Sequence, residues 1–307
     1  MTLGPLMVIG GAEDKTGARV VLSRFVRLAG GAGAKIAVIA TASALGDEIV
    51  DAYREAFGGL GVTDIVAPRP TTRAEAADPA VVSQLDGVSA VFMTGGNQGK
   101  LSGVVTGTPF GAAIRAVHAG GGLVGGTSAG ASVQSEHMIA FGTEGSTPKL
   151  RMAQMSAGLG LLPGLVIDQH FDQRGRYGRL LTLVAHAPHL LGMGVDEDTA
   201  AVITEGRTLE VVGKGAVTLF DGSAMTSNVD SARSTAPLMV SGVVLHSLPS
   251  GAQFDLEERR LLPGAGGRPD DLRTRSSRQP AARPLDRLIA AEGVLGDVPA
   301  RRTKSKK

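Results

Sequence analysis

The chain of 307 residues has no cysteine and no tryptophan, and aromatic residues make up only 3% of it. Without cysteine there can be no disulfide, no thiolate metal site and no cysteine nucleophile. With so few aromatics, the core has to be built from Val, Leu, Ile, Ala and Met. No apolar run approaches the ~20 residues that a membrane-spanning helix requires. The opening residues, Met1 to Met7, lack the basic start and long apolar stretch of a signal peptide. A soluble, cytoplasmic protein is expected, with no membrane partner. Charge of one sign is also missing. The formal net charge of +2 gives no broad attraction to nucleic acid. Basic residues gather only at the end, where Arg301, Arg302, Lys304, Lys306 and Lys307 read as a solvated tail.

Glycine, by contrast, is abundant at 44 residues, and it punctuates the pattern of apolar runs. Leu6 to Ile9 stops at Gly10-Gly11, Val88 to Met93 stops before Gly95-Gly96, and Gly122 to Gly125 leads into a further turn. Between these runs lie amphipathic stretches: Thr16 to Leu28, Asp47 to Phe57, Ala80 to Leu85 and Phe110 to Ala119. The alternation predicts an α/β fold with a mostly parallel central sheet and helices on both faces. Its strands are continuous apolar runs, as burial on both sides requires. After about residue 200 the rhythm changes to short strands with tight turns, Ala200 to Ile203, Thr208 to Val212, Ala216 to Phe220 and Val243 to Leu248, which would extend the sheet with hairpins. Residues 1–262 are read as one catalytic domain. Residues 263–307, rich in Arg, Pro and Gly, are read as a disordered tail that allows one short helix, Leu285 to Ala291.

The chemistry is carried by Gly126-Thr127-Ser128-Ala129-Gly130, which follows the strand Leu123-Val124 and precedes an apolar stretch. This is a G-x-S-x-G elbow in a strand–turn–helix setting. A sharp turn exposes the serine hydroxyl, and the helix start aims N–H groups at a developing oxyanion. A second glycine turn, Thr94 to Gln98, belongs at the same carboxyl edge of the sheet, where its N–H groups would complete an oxyanion hole with that of Ala129. His170 follows the apolar run Leu165 to Ile167, the right position for a base. The other histidines lack such a setting: His118 and His137 read as helix positions, as do His186 and His189. Asp196, Glu197 and Asp198 follow another short strand, and any one of them can orient the histidine. Arg174, Arg176 and Arg179 follow His170 closely enough to share its cleft, and arginine pairs with carboxylate bidentately. The order serine, histidine, acid differs from that of an α/β-hydrolase esterase.

Five segments together resemble the cyanophycinase branch of the dipeptidase E-like family of serine peptidases: Gly10 to Lys15, Thr94 to Gln98, Gly126 to Gly130, Asp168 to Arg179 and Gly192 to Thr199. The resemblance runs from about residue 5 to Leu256. It implies a flavodoxin-like sandwich, like that of class I glutamine amidotransferases, and a homodimer. The implied activity is that of a serine exopeptidase needing no metal and no cofactor. Its substrate would be cyanophycin, multi-L-arginyl-poly-L-aspartate, released as β-Asp-Arg dipeptides. The resemblance assigns a triad of Ser128, His170 and Glu197 and oxyanion donors at Gly96 and Ala129. It assigns substrate contacts to Asn97, Asp168, Gln169, Arg174, Arg176 and Arg179. Gly99-Lys100 departs from the pattern beside the pocket. A dipeptidase for aspartyl or β-aspartyl peptides is the alternative within the same chemistry, and a storage-granule binding protein is the alternative without it.

Overall fold

The structure, a computed structural model, describes residues 2–233 and 236–263. The tail read from the sequence, with its short helix, lies outside the described residues beyond Pro263. Strands β1 (Leu6–Ile9), β2 (Lys35–Ile39), β3 (Asp64–Val66), β4 (Ala90–Met93) and β5 (Leu123–Thr127) come first, followed by the hairpin β6 (His137–Gly142) and β7 (Ala153–Ala157). Then come β8 (Leu165–Gln169), β9 (Leu191–Val195), β10 (Thr199–Thr204), β11 (Thr208–Gly213) and β12 (Ala216–Asp221). The last strands are β13 (Thr226–Ser227), β14 (Val240–Ser241), β15 (Val244–Pro249), β16 (Gln253–Asp255) and β17 (Arg260–Leu261). The α-helices are α1 (Val20–Ala29), α2 (Asp47–Gly58), α3 (Pro79–Val82), α4 (Gln98–Val105), α5 (Pro109–Ala119), α6 (Ala129–Ser132) and α7 (Tyr177–His186).

A nine-stranded sheet in the order β17-β16-β11-β10-β1-β5-β4-β2-β3 forms the centre. Its β1, β5, β4, β2 and β3 are parallel, and β10, β11, β16 and β17 extend it in antiparallel fashion. The expected α/β class is borne out; of the late strands, β10 and β11 extend the large sheet as a hairpin, whereas β12 and β15, expected there too, belong to a second sheet. A second sheet, β15-β12-β9-β8, was not visible as a separate layer in the sequence.

Alternation of side chains along β1 sorts the core. Met7 and Ile9 meet Leu22, Phe25, Val26 and Phe57 from α1 and α2 on one face. Leu6 and Val8 join Phe110 and Ile114 of α5, and also Ile167 and Met193 of the second sheet, on the other. Helix α7 covers the far side of that second sheet, with Leu180, Leu183 and Val184 packed on Val166 and Phe220. Four of the few aromatics, Phe25, Tyr53, Phe57 and Phe92, cluster under α1 and α2, with ring centroids 4.7–5.9 Å apart.

Local chemistry sets the helix limits. Helix α5 starts on Thr108, whose hydroxyl accepts from Gly111 N–H, with Pro109 as its first residue. Helix α1 begins at Val20 rather than Thr16 because the Asp14 carboxylate takes the N–H groups of Thr16, Gly17 and Arg19. It ends where Gly30 enters the left-handed region. Two histidine readings need correction: His137 begins strand β6, and His189 lies in the turn after α7. Among the described residues no helix is long and apolar enough to cross a membrane.

Candidate active site

The parallel strands β1, β2, β4 and β5 all end at one edge of the large sheet, where order reverses between β2 and β4. A crevice at such a switch point is where α/β sheets bind ligands. Ser128 stands at the exit of β5 with φ 52° and ψ −106°, a strained conformation for a residue with a side chain. The two elbow glycines explain how the turn closes. A Cβ on Gly126 would lie 2.3 Å from the Gly130 carbonyl oxygen, and one on Gly130 would lie 2.2 Å from that of Met93. No larger residue fits either position without moving backbone.

Ser128 Oγ lies 2.9 Å from His170 Nε2, and His170 Nδ1 lies 2.6 Å from Glu197 Oε1. The histidine comes from the exit of β8 and the glutamate from the exit of β9. The large sheet therefore supplies the serine and the second sheet supplies the other two. The first strand's glycine turn joins them: His170 N–H donates to Gly10 carbonyl at 2.8 Å, and Asp198 N–H to Gly11 carbonyl at 2.9 Å.

The three consecutive acids have three different tasks. Glu197 reaches the imidazole. Asp196 accepts the N–H groups of Asp172 and Ala216. Asp198 accepts the Asp14 N–H at 2.9 Å and pairs with Lys214 at 2.7 Å. Burial pushes the His170 pKa below the ordinary imidazole value, against the hydrogen bond the ring donates to Glu197, with Arg174 adding to the depression. The ring is therefore neutral at neutral pH and can accept a proton.

Beside the serine, Gly95 and Gly96 end the turn after β4; an added Cβ on Gly95 would sit 3.4 Å from Ser128 Cβ. Among the described residues, no hydrogen bond uses the N–H groups of Gly96 or Ala129. Asn97 caps helix α4, its Oδ1 accepting the Lys100 N–H at 2.9 Å. That cap starts a helix which the sequence reading had passed over. Gly99 and Lys100 lie within α4 and line neither cavity of the site.

The residues around the base separate into two groups. Asp168 is fully buried, and Arg179 Nε donates to it at 2.6 Å while Arg176 Nη1 donates at 3.3 Å. Arg176 also donates to the backbone and side-chain oxygens of Gln169, and Gln169 Nε2 reaches Ser132 Oγ at 3.2 Å. Burial depresses the Arg176 pKa to about 10, with Asp168 opposing and Arg179 adding to the effect, so the group stays charged. Arg174, in contrast, is exposed.

Two cavities meet at Gly96, and the first of them is bordered by Ser128. One, of about 360 Å³, is bounded by Lys15, Leu45, Tyr53, Ser128 and His170. The other, of about 400 Å³, is bounded by Asn97, Gln98, Phe141, Arg176 and Arg179. Gly96 borders both. Glu13 and Lys15, to which the motifs assign no role, follow closely on the glycine turn of β1. Glu13 is buried, accepting from Thr127 Oγ1 at 2.5 Å and from Tyr53 OH at 2.5 Å. The signal that was available is a charged pair placed immediately after a strand-ending Gly-Gly. Among the described residues, no group of His, Asp and Glu side chains is arranged to hold a metal.

A serine hydroxyl, an imidazole and a carboxylate in a row, on a parallel sheet that ends in an elbow, describe a hydrolase of the acyl-transfer kind. Residues 6–211 match peptidase family S51, and the chain belongs to that family of serine-type peptidases. It is similar to a cyanophycinase of Geminocystis herdmanii, with 39% identity over 84% of this chain and 96% of the relative. A cyanophycinase of Nostoc is 41% identical over 84% of this chain and 87% of the relative. The fold resembles the crystal structure of a peptidase from an acI-B1 Actinobacterium, with a TM-score of 0.60 and 22% identity over 83% of this chain and 97% of that one.

Proposed function

We propose that the chain is a serine exopeptidase that hydrolyses cyanophycin to β-Asp-Arg dipeptides. The carrying observation is the alignment of Ser128, His170 and Glu197 beside two N–H groups without a partner among the described residues. The substrate reading rests on relatives named cyanophycinase that cover most of their own length.

Each residue then has a step. Ser128 Oγ attacks the backbone carbonyl carbon while its proton passes to His170 Nε2. Glu197 holds Nδ1–H and stabilises the imidazolium. Gly96 and Ala129 donate their N–H groups to the oxyanion. The C–N bond breaks, and the amine leaves with the proton from Nε2. Water then attacks the ester, giving one proton to Nε2, and Ser128 regains its own as the acid departs. Asn97, Arg176 and Arg179 form the wall beside the acyl group, with Asp168 and Gln169 buried behind it holding the two arginines, while the exposed Arg174 lines neither cavity. The cytoplasmic location and homodimer implied by the resemblance belong to the same reading; cell fractionation reads the first, and light scattering after gel filtration reads the second.

The test is incubation with purified cyanophycin followed by mass analysis. The β-Asp-Arg dipeptide is expected as product. With Ser128→Ala it should disappear, because loss of the nucleophile lowers kcat by on the order of 10⁶ in a well-studied serine protease. Wild-type turnover by that variant would refute the mechanism.

A further inference from the structure

The two cavities that meet at Gly96 are not equivalent. In acyl transfer the departing amine takes its proton from the base, so the departing residue must lie on the base's side of the scissile bond. His170 borders the cavity of about 360 Å³ and not the one of about 400 Å³. The first cavity is therefore the leaving-group side, and the second, with Arg176 and Arg179, is the acyl side.

The cation on the leaving-group side is Lys15. Its ammonium lies 2.9 Å from Glu13 Oε1 and 5.0 Å from the centroid of the Tyr53 ring, and its side chain is 28% exposed. The Glu13 side chain is only 1% exposed, and its oxygens accept from the hydroxyls of Tyr53 and Thr127. Burial, together with the Glu13 charge, raises the Tyr53 pKa well above its ordinary value, so that hydroxyl stays a donor. The acid is turned inward and the ammonium outward. The ammonium pairs with the Glu13 carboxylate and donates, at 3.4 Å, to the Glu13 carbonyl. Lys15 also lines the cavity, and an ammonium has three donors to share among its partners. Thr127 immediately precedes the nucleophile, so the chain Thr127–Glu13–Lys15 fixes this charge relative to Ser128. The nearby apolar wall of Leu45, Ile49 and Tyr53 suits the methylene stem of a long side chain.

We propose that Lys15 binds the free α-carboxylate of the departing residue, which confines cleavage to the C-terminal end of the substrate. The inference rests on the peptidase reading above and adds the direction of attack. It also separates the cationic groups by task. Arg176 and Arg179 pair with the buried Asp168 and line the other cavity, whereas Lys15 stands in the cavity that holds His170.

The experiment compares two synthetic β-Asp-Arg oligomers of equal length, one ending in a carboxylate and one in a carboxamide. The wild-type enzyme should favour the free acid by about tenfold or more in kcat/KM, the loss expected for one charge-assisted hydrogen bond. Lys15→Met should bring that ratio to within about twofold of unity, and Lys15→Arg should retain most of it. Because a ratio is read, a general loss of folding does not imitate the effect. A wild-type enzyme indifferent to the terminal group, or a Lys15→Met variant that keeps the full preference, overturns the inference while leaving the peptidase reading intact. Failure of the wild-type enzyme to cleave either oligomer would instead overturn the peptidase reading.

Discussion

His170 is held between opposing influences, and their signs can be read kinetically. Burial and the Arg174 charge disfavour the imidazolium; the Glu197 carboxylate favours it. Catalysis needs the neutral ring, so kcat/KM should rise with pH through a pKa below about 6.5 and level off at neutral pH. Arg174→Ala removes a repelling charge, and the acid limb should move to higher pH. Glu197→Gln removes the stabilising charge, so the limb should move to lower pH. Its plateau should also fall by on the order of 10³–10⁴, as when the triad acid of a serine protease is made neutral. A pH profile of kcat/KM for both variants gives the two signs, and shifts in the same direction would show that these charges do not act on His170. Gly11 provides a steric test of the same ring. Its φ is +104°, and an added Cβ would lie 2.2 Å from His170 Cε1. Gly11→Ala should lower kcat by about 100-fold or more through displacement of the base, while the circular dichroism spectrum stays that of the wild type.

At the scale of elements, the strand exits were legible because they carry their own punctuation. The elbow at Ser128, the turn at Gly95-Gly96 and the base at His170 each follow an apolar run and sit where a glycine or polar residue stops it. The second sheet was not legible, because β8, β9, β12 and β15 differ from the other strands only in which partners they find. The β6–β7 hairpin is not legible for a different reason: β7 is mostly exposed and carries no continuous apolar run. Helix α4 escaped because its segment, Gln98 to Val105, is short and glycine-rich, and its start depends on the Asn97 side chain. Three consecutive acids also defeat sequence spacing; only the backbone, with Asp198 at φ 48°, sends them to separate partners. Asp168 shows what the second sheet requires at its edge. It lies one residue before the end of β8, ties that strand to α7 through Arg179, and ties the loop after His170 through Arg176. Asp168→Ala would leave two buried guanidiniums uncompensated and should lower the unfolding free energy by about 3–5 kcal/mol. Urea denaturation measures it. Replacing Asp168 by Leu together with both arginines by Met should restore part of the loss, since a fully apolar set leaves no buried charge alone.

Across the whole molecule, the site is a seam. The nucleophile belongs to one sheet and its partners to another, and within the segment that joins the two, Gly10 to Lys15, Ala12, Glu13 and Lys15 also line the leaving-group cavity. The seam is complete well before the chain ends. Among the described residues the last strand is β17, and Leu262 N–H still donates to Gln253 carbonyl at 2.9 Å. The similar cyanophycinase of Geminocystis herdmanii is matched over 96% of its own length while covering 84% of this chain. A protein with that name therefore carries little beyond the shared region. From Pro263 the composition turns to Gly, Pro, Ser and Arg without apolar periodicity. A chain ending at Leu262 should keep kcat/KM on soluble β-Asp-Arg oligomers within about twofold of the full chain, and its urea midpoint should stay unchanged. Digestion of insoluble granules is the place for a difference, because the basic end can hold an anionic surface and does so less well at high salt. The measurement pairs the two substrates at low and high ionic strength. A tenfold loss on the soluble oligomer would put residues beyond Leu262 into the fold or the site; equal loss on both substrates at either salt concentration would remove the surface-binding role.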